Sequence, residues 1–148
     1  MRVFGSRLHR VAIAQAACLL ICCSLSDSSL AAQAGQSIMP QLQERFGLSE
    51  PQVRGALGAL LVFVRERLPK PQFDELANRI PNAERIMQDV KQQGIVTRPL
   101  DDIDDYEASL ASLGIGQPLA SQFAPAVVEL LGAAGFYRER DTLANALD

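Results

Sequence analysis

The densest set of residues able to do chemistry is Asp101-Asp-Ile-Asp-Asp-Tyr-Glu107, with five acids in seven positions. Carboxylates at this density can ligate calcium or activate water. The candidate metal ligands are Asp101, Asp102, Asp104 and Asp105. In a carboxylate-based hydrolase the same four are the first residues to carry acid–base work. The spacing lacks the Gly and the closing bidentate Glu of an EF-hand loop. It suits a helix start, where Asp caps free N–H groups and acids in the first turn favour the helix dipole. The helix-start reading accounts for the residue types, so no catalytic or cofactor-binding residue is assigned.

The rest of the usual repertoire is missing from most of the chain. All three Cys and the single His fall within the first 34 residues. Residues 35–148 therefore offer no thiol nucleophile, no imidazole base and no common zinc ligand set. No Gly-rich phosphate loop follows a strand. The remaining candidates are weak. Glu129 sits in an apolar run but falls on the side of its helix opposite Phe123, Val127, Leu130 and Leu131, and so is expected to face solvent. Arg65, Arg67 and Lys70 form a small basic group, with Arg138 and Arg140 in related places. These could receive an anion or an acidic partner, although solvated helix ends commonly carry such residues. An enzyme is less in keeping with this inventory than a binding protein.

The first 34 residues have their own logic. A basic start with Arg2, Arg7 and Arg10 precedes an apolar run from Val11 to Cys23, and Ala32-Gln33-Ala34 offers small residues for cleavage. That order is the pattern of a secretory signal peptide, and the apolar run is short for a membrane span. Export to the periplasm or medium, with cleavage near Ala34, is the expectation. None of Cys18, Cys22 and Cys23 sits in a good lipobox, so a lipoprotein is a minor alternative. With 3 of 14 basic and 1 of 17 acidic residues in that segment, residues 35–148 hold 11 basic and 16 acidic ones. An acidic balance argues against nucleic acid and against anionic membrane surfaces, leaving the membrane encountered only through the signal peptide.

The elements that would position any site are helical throughout. The organising stretch runs from about 50 to 68. After Ser49-Glu50-Pro51, apolar residues at Val53, Leu57, Leu60, Leu61, Val64 and Leu68 follow the helical period. The other side carries Gly55, Ala56, Gly58, Ala59, Val62 and Phe63, so the helix is apolar nearly all round and must be enclosed by neighbours. Gly55 and Ala59 permit close approach of another backbone or a pocket for an apolar ligand. Tight packing is the default for an interior. Shorter helices are predicted over 37–46, 71–80, from Pro81 to Gly94, after Asp101 or Asp102 with Ile103, Tyr106, Leu110 and Leu113 inward, and from Pro118. The last of these should kink or restart at Pro125. Asp141 should cap a final short helix. The expected fold is all-α, a compact bundle of about six or seven helices around the central one. It would form one domain over 35–148, monomeric or a homodimer.

A shift of 67 positions aligns Gly47 with Gly114, Pro51 with Pro118, Ala59 with Ala126, and Asp74, Leu76, Ala77 and Asn78 with Asp141, Leu143, Ala144 and Asn145. Hydrophobic faces agree as well as letters. A pseudo-twofold duplication relating 47–80 to 114–147 is one reading, and chance matching in an Ala- and Leu-rich chain is the other.

Three segments then stand together: Gly55-Ala-Leu-Gly-Ala-Leu-Leu61, Gln72-Phe73 to Ile80-Pro81, and Leu113-Gly-Ile115 leading to Gln122-Phe-Ala-Pro125. In this order the chain resembles the VcgC/VcgE-like proteins, a bacterial family of exported proteins of unknown function, over roughly Leu42 to Leu147. The resemblance implies an exported helical domain and assigns no site residue. The leading expectation is a binding or interaction module for a protein or an apolar ligand. A carboxylate-based hydrolase and a calcium-stabilised envelope protein are the alternatives.

Overall fold

A computed structural model describes residues 38–148, and the expected signal peptide, its cleavage point and all three cysteines lie outside them. The described chain is all-α, with no strand among these residues. Helix α1 covers 38–46, α2 Glu50–Arg67, α3 Lys70–Ala77, α4 Ala83–Gln92, α5 Ile103–Ser112, α6 Gln117–Ala133 and α7 Tyr137–Leu147.

The centre is α2, as its composition requires. Val53 and every residue from Gly55 to Val64 are buried. Its start is fixed by Gln52, whose Oε1 accepts from the Ser49 backbone N–H at 3.0 Å while its Nε2 donates to the Leu113 carbonyl at 3.0 Å. One side chain thus closes the helix start and ties it to the end of α5. The two glycines are filled from outside. A Cβ on Gly58 would lie 2.6 Å from Val90 Cγ1 and 3.0 Å from the Ile86 carbonyl oxygen, and one on Gly55 would lie 2.8 Å from Leu113 Cδ1. Helix α4 is the main companion of α2 and seats Ile86, Met87 and Val90 on it. The Cβ positions of Gly55 and Gly58 are occupied by packed side chains, and Gly55 also borders a small cleft of about 310 Å³.

The connection from α4 to α5 is pinned down. Val96 and Leu100 are buried, the Leu100 N–H donates to Glu66 Oε2 at 3.0 Å, and Arg67 Nη2 donates to the Asp101 carbonyl at 2.9 Å. Arg67 also lies over the Phe63 ring, 4.3 Å from its centroid. The charged end of α2 therefore holds this connection.

Several local expectations change. Pro125 does not restart a helix. Both it and Ser121, whose carbonyl loses a partner, are exposed, so water satisfies the carbonyl and α6 runs on unbroken. Asp141 is not a cap, because α7 begins four residues earlier at Tyr137. Ile103 is 39% exposed rather than inward, since it occupies the first position of α5, before the face that buries Tyr106 and Leu110. The third helix stops at Ala77, and a turn through Asn82, at φ 60°, separates it from α4.

The offset seen in the letters recurs in the element starts. Helices α2 and α6 begin at Glu50 and Gln117, and α3 and α7 at Lys70 and Tyr137, each pair 67 positions apart. Gly47 and Gly114 both turn the chain at positive φ, 64° and 77°. The two long helices differ in covering. Gly55, Gly58 and Val62 are buried, whereas the residues 67 positions on, Gln122, Pro125 and Glu129, are exposed. Helix α4 packs Val90 and Ile86 against Gly58, and Leu113 and Ile95 lie against Gly55.

Candidate functional site

The acidic cluster surrounds the start of α5. Asp102 is the N-cap, and its Oδ1 accepts from the Asp105 N–H at 2.8 Å. Asp105 is paired with Arg98. Asp101, Asp102 and Asp104 are exposed. Asp102 thus caps the helix and Asp105 holds the preceding connection, and among the described residues no group of three or more metal-binding side chains converges. Glu129 is on the outer face of α6 and accepts from Arg45 Nη1 at 2.6 Å, which links α6 to α1. Of the first basic group, Arg67 is committed to Asp101 and Phe63, and Lys70 pairs with Asp74 one turn on.

Of the second basic group, Arg140 pairs with Asp141, and Arg138 lies along a cleft of about 540 Å³ between the end of α3 and the start of α7. Glu75, Asn78 and Arg79 line one side, and Phe136, Tyr137, Arg138 and Glu139 the other. Its floor is an ion pair. Glu139 is only 7% exposed, and its Oε1 accepts from Arg79 Nε at 2.7 Å. Burial pushes the Glu139 carboxyl up. The Arg79 hydrogen bond, the residue's own backbone N–H and the charges of Arg79 and Arg138 outweigh it and hold the group below its ordinary value. Glu139 is thus a carboxylate that orients Arg79 and is poorly suited to serve as a general acid. The Arg79 guanidinium is steadied further by the Phe136 ring, 4.9 Å from its centroid.

The rim is less committed. Arg138 Nη1 is 4.0 Å from Glu75 Oε2, and the Arg138 side chain is 81% exposed. Tyr137 is 61% exposed, an aromatic ring left outside the core. A second, smaller cleft beside the α2 start is lined by Glu50, Arg54 and Asp89, and its Arg54 is already paired with Glu50 at 2.9 Å.

A family model described as the protein of unknown function VcgC/VcgE (DUF2780) matches residues 24–148, nearly the whole length. The chain belongs to this family. No curated protein and no solved structure matches it. The family membership agrees with the resemblance carried by the central helix and the two flanking motifs. It assigns no role to any residue of this VcgC/VcgE family member, so the cleft is judged on its own chemistry.

Sequence reasoning pointed to Arg138 and Arg140 and missed Arg79, Glu75, Asn78 and Glu139. Glu75, Asn78 and Arg79 lie within the Gln72 to Pro81 segment, which reads as a packing motif, and Glu139 stands in no motif. The ion pair that unites the two sides joins positions 60 apart.

Proposed function

We propose that this protein is an exported binding module without catalytic machinery of its own, and that its partner engages the cleft between α3 and α7. One observation carries the reading. Tyr137 and the Arg138 guanidinium stand exposed at the rim of an open cleft, while among the described residues nearly all other large apolar side chains are buried or half-buried. Aromatic and Arg side chains are the usual anchors of binding surfaces. The test places a photo-crosslinking residue at Tyr137 in one variant and at exposed Gln88 of α4 in another. Adducts specific to position 137, and reduced by Arg138→Glu, are expected. Equal capture at both positions would sink the reading.

Export rests on the basic, apolar and small-residue order of the first 34 residues. Intact-mass measurement of protein from the cell envelope or medium should show loss of about 34 residues, as that order implies. A full-length mass in the cytoplasm would overturn it. The same proposal takes 47–80 and 114–147 as two copies of one unit, supported by the common 67-position offset between the starts of α2 and α6 and of α3 and α7. Other family members should show the same internal match; its loss across them would remove the duplication.

A further inference from the structure

We propose that the α3–α7 cleft recognises a carboxylate next to an apolar group, of the kind presented by the C-terminus of a peptide chain. This deepens the binding-module reading and rests on it. The argument starts from the donor set. Among the described residues, Arg79 uses only Nε in its hydrogen bond to Glu139, so its two Nη groups have no protein acceptor. Its side chain is 37% exposed and lines the cleft. Glu139 below and Phe136 alongside hold the guanidinium in place. A fork so fixed loses little freedom when it binds, and its planar geometry matches a carboxylate. Arg138, only loosely opposed by Glu75, adds a second cation at the rim.

Two arginines share the cleft with Glu75 and Glu139, so the formal charges of these four groups cancel. Shape therefore chooses between anions: the flat fork of Arg79 matches a planar carboxylate. The exposed ring of Tyr137 supplies apolar contact next to the cation pair, and a cleft of about 540 Å³ is in the range that holds a small organic ligand or a few residues.

The experiment follows amide and Arg Nε resonances of the full chain by nuclear magnetic resonance. The probes are N-acetyl-phenylalanine, its C-terminal amide, and inorganic phosphate. Saturable shifts at Arg79 Nε and at the Tyr137, Arg138 and Glu139 amides are expected with the acid, absent with the amide and weaker with phosphate. Arg138→Gln, a change at an exposed position, should weaken the acid about tenfold, as expected for one charge-assisted hydrogen bond, and shift the unfolding midpoint much less than Glu139→Gln does. Arg79→Lys keeps the cation but loses the fork and should weaken it similarly. Equal shifts with acid and amide would overturn the carboxylate proposal and leave the cleft as a binding site. Stronger binding of phosphate, or no shift in the cleft with any probe, would also overturn it. The binding-module reading is judged separately and falls if crosslinking at position 137 is no more specific than at Gln88.

Discussion

Arg79 and Glu139 are 60 positions apart and meet at 2.7 Å, Nε to Oε1, with the carboxylate buried. The bond ties the turn after α3 to the first turn of α7. Because Arg79 and Arg138 hold the Glu139 carboxyl below its ordinary value of 4.5, the pair's contribution has a definite pH dependence. A depressed folded value means that stability is present above the unfolded value and is lost as pH falls through the folded one. Thermal unfolding from pH 6 to pH 3 should therefore fall more steeply for the native chain than for Glu139→Gln. Parallel curves would show that the carboxylate does not stabilise the fold. Glu75, also in the cleft, remains in both proteins and cancels in the comparison.

The glycines of α2 separate two kinds of close contact. At Gly58 a methyl group would meet Val90 Cγ1 and the backbone oxygen of Ile86, and backbone in a packed helix pair cannot easily move. Gly58→Ala is expected to destabilise by about 1–3 kcal/mol, the usual cost of overpacking. At Gly55 the nearest atoms are the terminal methyls of half-buried Leu113, which can rotate. The helix-propensity gain of about 1 kcal/mol should there offset the crowding, leaving Gly55→Ala near neutral. Urea midpoints of the two variants check the contrast; equal losses would contradict it.

Tyr106 is fully buried against Phe63, their rings 5.8 Å apart, and among the described residues its hydroxyl has no hydrogen-bond partner. Burial, with the Glu107 charge adding to it, pushes the phenol far above its ordinary value, so it stays neutral. An unpartnered buried hydroxyl costs about 1–3 kcal/mol. Tyr106→Phe should raise stability by about 1 kcal/mol, read from the shift in urea midpoint. A loss of stability would show that the hydroxyl has a partner.

Asp102 provides the last test. As the cap of α5, its replacement by Ala should cost about 1 kcal/mol. If capping is the whole role, the loss is the same in calcium and in chelator. A loss seen only with calcium would restore the acidic cluster as a metal site.

How far the letters reach can be judged from particular residues. Apolar positions around the whole circumference of α2 implied an enclosed helix, and Gly55 to Val64 are all buried. Glu129 was placed outward by its helical angle alone, and it is exposed. These properties are local: helical period, capping chemistry and the conformational limits of Gly and Pro act within a few residues. The continuity of α6 through Pro125 was not legible, because a proline's effect depends on whether its helix face is covered. Nor was the exposure of Ile103, whose hydrophobicity says nothing of where α5 begins.

Composition and periodicity alone determined an all-α chain with one enclosed helix, and placed its turns near Gly47, Gly94 and Gly114. Tertiary structure alone decided that α4 covers α2 while the corresponding face of α6 stays bare, and that Arg79 finds Glu139 at the floor of a cleft. Those outcomes depend on how rigid helices cross. Crossing is set by the shapes of whole packed faces, and side chains 60 positions apart carry no local mark of their future neighbours.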